Sequence, residues 1–539
     1  MFDTIQRNPD IVIINGIEAW QKSPSGRYDV EGISVETELQ GDRLSVYLSA
    51  KSTQVKRVKL RWHLAEKLRG RVLGDAWERA YGDLEWQSIN PFRSLPWYVL
   101  VHDGGDTVGY GVMVRPRAMC AWQLDPEGVT LCLDVRNGGD GVILNGRRLL
   151  AARVVSKVCT GIDAFDAARD FCKAMCDDPI LPTKPVYGSN NWYYAYGHSS
   201  AQAILDEAEY MAKLTQGLEN RPYVVIDDGW QQGRYKLDGA FEEVYNGGPW
   251  VSNRRFGDMQ ALAGQMARKG VIPGIWVRLL QDDSADIPDA WRLASGALDP
   301  SLPEVVDHVK GIVDEIGRWG YKLLKHDFST YDITGLWGWQ MGHEVTRDGW
   351  HFADRSRTTA EIIVDFYRAI LEAAARHDML VLGCNAVGHL GAGLMHLNRV
   401  GEDTSGLVWE KTLQNGVNAL AFRLPQHGTF FDVDADCMGI TAHIDWSLNR
   451  QWGELLSKSG TSMFVSVAPG TLSEDQEDAL RKMLSFNSLP REITQPLDWQ
   501  DTTIPQIWMI DGEVVRYHWY GTRGVRVSYD ETPLSENDD

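Results

Sequence analysis

From Pro185 onward the chain alternates short apolar runs with amphipathic stretches, eight times over about 300 residues. Few architectures accept that pattern. The apolar runs lie at 185–195, 221–228, 271–277, 321–328, 379–385, 398–404, 430–436 and 462–467. Stretches of helical period separate most of them, at 199–215, 256–270, 303–320, 358–378, 415–424 and 445–460. Eight strand–helix pairs in about 250 residues or more predict an α/β fold, a (β/α)8 TIM barrel. A doubly wound open sheet is the competing architecture. Its first strand normally runs into a glycine-rich phosphate turn, and none stands here.

The flanks read differently. Segments 32–40, 43–51, 54–64, 98–104, 109–114 and 129–138 are apolar every second residue or apolar throughout, between turns rich in Gly, Asp and Asn. They predict an N-terminal β-sandwich domain over 1–180, closed by a helix from Asp163 to Cys176. The barrel is expected over 181–488. Runs at 505–512, 513–521 and 524–530 predict a small C-terminal β domain over 489–539, ending in an acidic solvated tail at 531–539.

Net charge is -20, from 54 basic and 74 acidic residues, which argues against nucleic acid or an anionic membrane as partner. The longest apolar stretch, 379–395, contains Asn385 and His389 and reads as a buried strand and loop rather than a membrane span. The first ten residues show no basic stretch leading into an apolar run, so no signal peptide is expected and the expected compartment is the cytoplasm. Seven scattered cysteines read as free thiols in a reducing compartment. Twenty-one tryptophans suit either a large core or stacking against sugar rings.

Barrels of this kind carry their reactive groups at the C-terminal ends of the strands. Strand two ends in Asp227 and Asp228, strand four in Lys325, His326 and Asp327, and strand five in Cys384 and Asn385. Strand six carries Arg399, Glu402 and Asp403, and strand seven Asp434 and Asp436. Grouped carboxylates repel and raise one another's pKa, so a metal, a cationic ligand or paired acid/base chemistry is expected there. Metal motifs with histidine pairs are absent from the sequence. The 432–436 segment as a calcium loop is the weaker reading, so neither metal nor cofactor is expected. Two carboxyl groups, one attacking and one donating a proton, are what cleavage of a glycosidic bond requires. Trp192, Trp230 and Trp276 fall where a sugar would stack.

These residues resemble a known family. The run 225–231, around Asp227 and Asp228, resembles the strand-two motif of glycoside hydrolase family 36, the melibiase-type α-galactosidases and their raffinose-synthase-like relatives in clan D. Lys325-His326-Asp327 resembles that family's nucleophile motif, the segment from Arg399 to Asp403 its acid/base motif, and 272–276 its third-strand segment. The resemblance implies a retaining, exo-acting α-glycoside hydrolase, above all an α-galactosidase, acting on an oligosaccharide or other α-glycoside. It implies Asp327 as nucleophile and Asp403 as general acid and base. Lys325 would contact the sugar and keep Asp327 ionised, Asp227 and Asp228 would bind the 4- and 6-hydroxyls, and Arg399 would orient the site. Trp230 and Trp276 would wall it. Trp192, Cys384, Asn385 and Asp436 complete the expected substrate contacts. Asp403 is expected to be buried, or crowded by Glu402, so that it holds its proton.

The sequence departs from the family pattern at His326, at Gly401 and in the loop from Cys384 to Gly393. That loop shapes recognition of the sugar 2-position, so N-acetylgalactosaminidase specificity stands as an alternative, beside α-galactosyl transfer and a non-catalytic sugar-binding scaffold. The chain is short for the family, which implies a homo-oligomer that completes the site. His326, His389 and His427 read as structural or rim residues. Trp337, Trp339 and Trp350, in the 329–354 insertion, belong either to a lid or to a satellite core.

Overall fold

The structure is a computed structural model that describes residues 2–23, 26–234, 245–521 and 524–526. Eight parallel strands form a closed barrel: Tyr187–Asn190, Tyr223–Ile226, Ile272–Val277, Leu323–His326, Leu380–Gly383, Leu397–Arg399, Asp432–Ile440 and Ser462–Val467. Closure is direct, with Tyr187 opposite Met463. The expected α/β barrel is therefore present, with every strand inside or overlapping its predicted run. Polar caps start the helices outside it. Ser200, Asp258, Thr358, Asp445 and Ser473 each accept a backbone N–H of the following first turn, and Thr358 and Ser473 do so in reciprocal pairs with Glu361 and Gln476.

Two antiparallel sheets, of six and nine strands, precede the barrel and face each other as a sandwich. Tyr110 of the larger sheet meets Trp122 of the smaller with ring centroids 6.3 Å apart. Six of these fifteen strands fall in or overlap the runs read from the sequence. The twelve-residue strand Leu149–Thr160 escaped, although it pairs with both Arg43–Ala50 and Asp106–Val112 at the centre of the larger sheet. A slip of register between Leu150 and Ala152 breaks its period. The helix Ala164–Met175 starts on an Asp163 cap and buries Ala164, Phe165, Ala168, Phe171, Cys172 and Met175 along one stripe. A three-stranded sheet, Gln495–Pro496, Ile507–Ile510 and Glu513–Arg516, follows the barrel. The run expected at 524–530 lies mostly outside the described residues, and the 531–539 tail wholly so.

One expectation needs correction. Strand five is not followed by a full helix: the chain from Cys384 to His396 contains only the single turn Gly388–Gly391. The sandwich docks there instead. His389 stacks on Trp97 with centroids 5.0 Å apart and bonds the Val112 carbonyl at 3.0 Å. The backbone N–H of Arg115 donates to the His389 carbonyl. Arg423 reaches Asp75 at 2.8 Å, and Arg147 reaches Glu361 at 2.7 Å, tying the sandwich to the barrel on both sides of this gap. The 379–395 stretch is buried, as expected. Among the described residues no helix is long and apolar enough to cross a membrane. All seven cysteines are free, and all but Cys132 are buried.

Glu207, on the helix Ala201–Leu214, is buried against the barrel and accepts the Tyr194 hydroxyl at 2.6 Å. Burial pushes its carboxyl up to about 7. The folded state therefore favours the protonated acid. The resulting penalty is absent below the unfolded pKa near 4.5 and grows as pH rises toward 7. Glu207→Gln is expected to gain stability over the parent across that window, by up to about 3 kcal/mol at its upper end. Thermal unfolding of both proteins at pH 4.5 and 8 checks this. An equal difference in Tm at the two pH values would contradict it.

Candidate active site

The polar residues singled out in the sequence converge at the C-terminal end of the barrel. Asp227 and Asp228 leave strand two, and Lys325 and Asp327 share one face of strand four and its exit. His326, between them, points away. It packs on the Tyr367 ring, neither of its nitrogens has a hydrogen-bond partner, and burial pushes it down to about 4, so it is neutral. His389 is likewise neutral, pushed down to about 3 by burial. His427 receives the Val433 N–H at 3.2 Å, at the other end of strand seven.

Asp227, Asp228, Lys325, Arg399, Asp434 and Asp436 are all buried, whereas Asp327 and Asp403 keep partial access to solvent. The buried charges are paired. Lys325 donates to Asp227 at 2.6 Å, Asn190 donates to the same oxygen at 2.5 Å, and Gln231 donates to Asp228 at 2.7 Å. Arg399 spans Asp403 at 2.6 Å and Asp436 at 2.9 Å. A slip of register between Asp434 and Cys437 gives Asp436 a positive φ of 74°. That bulge turns its carboxylate onto Arg399, the Tyr193 hydroxyl and the Thr404 N–H. Asp436 is thereby committed to a guanidinium.

Asp327 accepts three hydrogen bonds: from the Trp276 indole at 3.1 Å and from the backbone N–H groups of Phe328 at 2.7 Å and Asn385 at 2.9 Å. Burial alone would raise its pKa. The charges of Arg79 and Lys325, with the Trp276 and Asn385 bonds, outweigh burial and hold the carboxyl far below the usual range. It is a carboxylate at any working pH. Asp434 shows the opposite balance, because burial dominates and pushes it up to about 6.

Arg79 was not anticipated from the sequence. It comes from the sandwich, on a segment whose Ala80 forms a parallel bridge with Gly401. Ala80 N–H donates to the Val400 carbonyl, and Glu402 N–H to the Ala80 carbonyl, both at 2.8 Å. A side chain at position 401 would place Cβ 1.9 Å from the Asn415 carbonyl oxygen, which explains the glycine there. The Arg79 side chain is 3% exposed and faces Glu78 at 3.4 Å, Glu402 at 3.2 Å and Asp403 at 3.4 Å. Glu78 in turn accepts Asn385 Nδ2 at 2.7 Å and the Gly338 N–H at 3.0 Å. A Glu-Arg pair between Trp77 and Trp86, in a segment without strand alternation, was the available signal.

Several expected substrate contacts are placed otherwise. Trp230 and Trp276 are both fully buried; Trp230 donates its indole N–H to the Trp276 carbonyl at 2.8 Å, and the Trp276 indole meets the site through Asp327. Asn385 is committed to Glu78 and to the Tyr331 N–H. Cys384 is buried, and burial with the nearby Asp327 charge raises its thiol well above the ordinary value, so it is inert. Trp192 is half-buried beside Tyr196. Asp403 is not buried: its side chain is 42% exposed. The carboxyl raised by burial and crowding is its neighbour Glu402. The 329–354 insertion divides: Trp337 stacks on Tyr331 near Arg79, Trp350 packs against Phe352, and Trp339 is 63% exposed.

The site therefore offers one permanently ionised carboxylate and a second, solvent-accessible carboxyl flanked by Glu402, whose own carboxyl burial shifts upward. That pairing suits nucleophilic attack followed by proton transfer. No family model and no curated protein sequence matches this chain. Among solved structures, the α-galactosidase of Thermus thermophilus in complex with p-nitrophenyl α-D-galactopyranoside aligns with a TM-score of 0.61 and 16% identity, over 95% of this chain and 99% of that one. The GH36 α-galactosidase AgaA from Geobacillus stearothermophilus, a variant bound to 1-deoxygalactonojirimycin, aligns at 0.58 and 14%, over 91% and 74%. The galactosidase domain of the α-galactosidase-sucrose kinase AgaSK aligns at 0.57 and 15%, over 93% and 75%. At these identities the likeness is one of fold, and it extends over sandwich and barrel together.

Arg79→Gln would leave Glu78, Glu402 and Asp403 facing one another without their shared cation. The expected cost is about 3–5 kcal/mol of stability, with Arg79→Lys recovering part of it. Chemical denaturation of the three proteins measures this, and a loss under 1 kcal/mol for the glutamine variant would contradict the role assigned to the guanidinium.

Proposed function

We propose that this chain is an α-galactoside hydrolase of the family 36 type, acting with retention through a covalent glycosyl–enzyme ester. The observation that carries the reading is the contrast between Asp327 and Asp403. The first is ringed by donors and cations that keep it charged, and the second stands at the solvent side of the same cluster. Fold neighbours that are α-galactosidases agree with it, including one in complex with stachyose. In this reading Asp327 attacks the anomeric carbon while Asp403 gives its proton to the departing oxygen. Asp403 then takes a proton from water, which opens the ester. Arg79 and Arg399 hold Asp403 in place, and the Trp276 indole orients the attacking oxygen. Asp227 and Lys325, locked together at 2.6 Å, form a charged floor for sugar hydroxyls. No metal or organic cofactor takes part in any of these steps. The sandwich of the same chain supplies Glu78 and Arg79, so each copy carries this wall of the site itself.

An aryl α-galactoside is expected to be cleaved, with α-galactose as the first product in proton NMR. Asp327→Ala should lower kcat by at least about 10³-fold. Asp403→Ala should slow oligosaccharide cleavage by about 10²–10⁴-fold and a p-nitrophenyl galactoside far less, because only the poor leaving group needs the proton. Equal losses on both substrates would remove Asp403 from the acid role, and β-galactose as the first product would exclude retention.

A further inference from the structure

Beyond the carboxylate cluster, the loops after barrel strands one, seven and eight enclose a cavity of about 540 Å³. Its walls include Tyr194, Tyr196 and Trp446, with Thr441, Gln476 and Leu407 between them. Neither lysine nor arginine lines it, so it offers no counter-charge to an anion. Asp445 in its wall is engaged in capping the helix Trp446–Lys458. Aromatic faces alternating with hydroxyl and amide groups suit a neutral, polyhydroxylated ligand, which stacks its C–H faces and hydrogen-bonds at its edges. The volume falls within the range of about 300–1000 Å³ typical of small-molecule sites.

The rings are held in place before any ligand arrives. Tyr193 donates its hydroxyl to Asp436, Tyr194 donates to Glu207 at 2.6 Å, and the Tyr196 hydroxyl accepts the Gly406 N–H at 3.2 Å. The wall nearest the reactive carboxylates is the loop that carries Asp403. Thr441 donates to the Gly406 carbonyl, and Leu407 lines the cavity four residues beyond Asp403, a reach of at most about 14 Å of extended chain. A Cβ on Gly406 would lie 2.2 Å from the Tyr193 carbonyl oxygen, so glycine is what lets this wall stay thin.

We propose that this cavity is a saccharide subsite on the leaving-group side of Asp403, taking the neutral sugar units of an oligosaccharide aglycone. The proposal rests on the glycosidase reading above for its place in the reaction. A leaving group departs past the residue that protonates it, and Asp403 is the carboxyl with its side chain turned outward. A chain of sugars crossing Gly406 then meets Tyr196 and Trp446.

The test compares Trp446→Ala with the parent and with Trp446→Phe, on stachyose and on p-nitrophenyl α-D-galactopyranoside. The ratio of kcat/KM for stachyose to that for the aryl galactoside is expected to fall at least tenfold in the alanine variant and to recover in the phenylalanine variant. An unchanged ratio overturns the subsite while leaving the glycosidase reading intact. A second arm needs no turnover: Asp327→Asn protein, with and without Trp446→Ala, is titrated calorimetrically with stachyose. At least fivefold weaker binding in the double variant supports the subsite, even should the parent cleave no galactoside, which would defeat the glycosidase reading alone. Equal binding, or none to either protein, overturns it.

Discussion

The Arg79 guanidinium is the charge on which the arrangement of this site depends. The barrel gathers Asp227, Asp228, Asp327, Glu402, Asp403, Asp434 and Asp436 at one end and sets Lys325 and Arg399 against them, with Arg278 after strand three paired to a further carboxylate, Asp332. In a poorly solvated pocket such an imbalance forces carboxylates to protonate or the strand ends to separate. Arg79 faces three carboxylates at 3.2–3.4 Å and is the largest charge holding Asp327 ionised. Because it sits on the sandwich, the electrostatic state of the barrel's reactive end is set by a neighbouring domain.

That dependence has a structural precondition. A barrel with a complete helix between strands five and six would shield this side from the sandwich. Here a single helical turn stands in its place, and His389, Trp97 and Val112 fill the gap. The segment around Ala80 can then lie parallel to the chain leaving strand six, bridging Gly401. The shortened connection and the imported arginine are parts of one solution.

The two accessible carboxylates differ because their surroundings differ. Asp327 is enclosed by an indole, two backbone donors and cations. Asp403 has one oxygen on two arginines and an open side toward solvent. Chemically identical side chains thereby acquire separate tasks, one suited to attack and the other to exchanging protons with whatever approaches from outside. The aromatic cavity beyond Gly406 is walled in part by the loop that carries Asp403.

The amino-acid sequence alone was enough to establish the barrel, because strand and helix periods are local properties of side-chain order. Asp227, Asp228, Lys325, Asp327, Arg399, Asp403 and Asp436 were legible for the same reason: a strand's last residues always face the same end of such a barrel. Burial and partnership were not legible. Trp230 read as a sugar-facing wall and is core, Asp403 read as buried or crowded by Glu402 and is accessible, and Asn385 read as a substrate ligand and is held by Glu78. Glu78 and Arg79 lie about 250 residues before Asp327, and the local pattern around them does not say that they will meet it. Local order decides which elements form and which way their ends point. Only the packing of sandwich against barrel decides which charges meet, since a charge's state depends on neighbours that the linear order does not bring near.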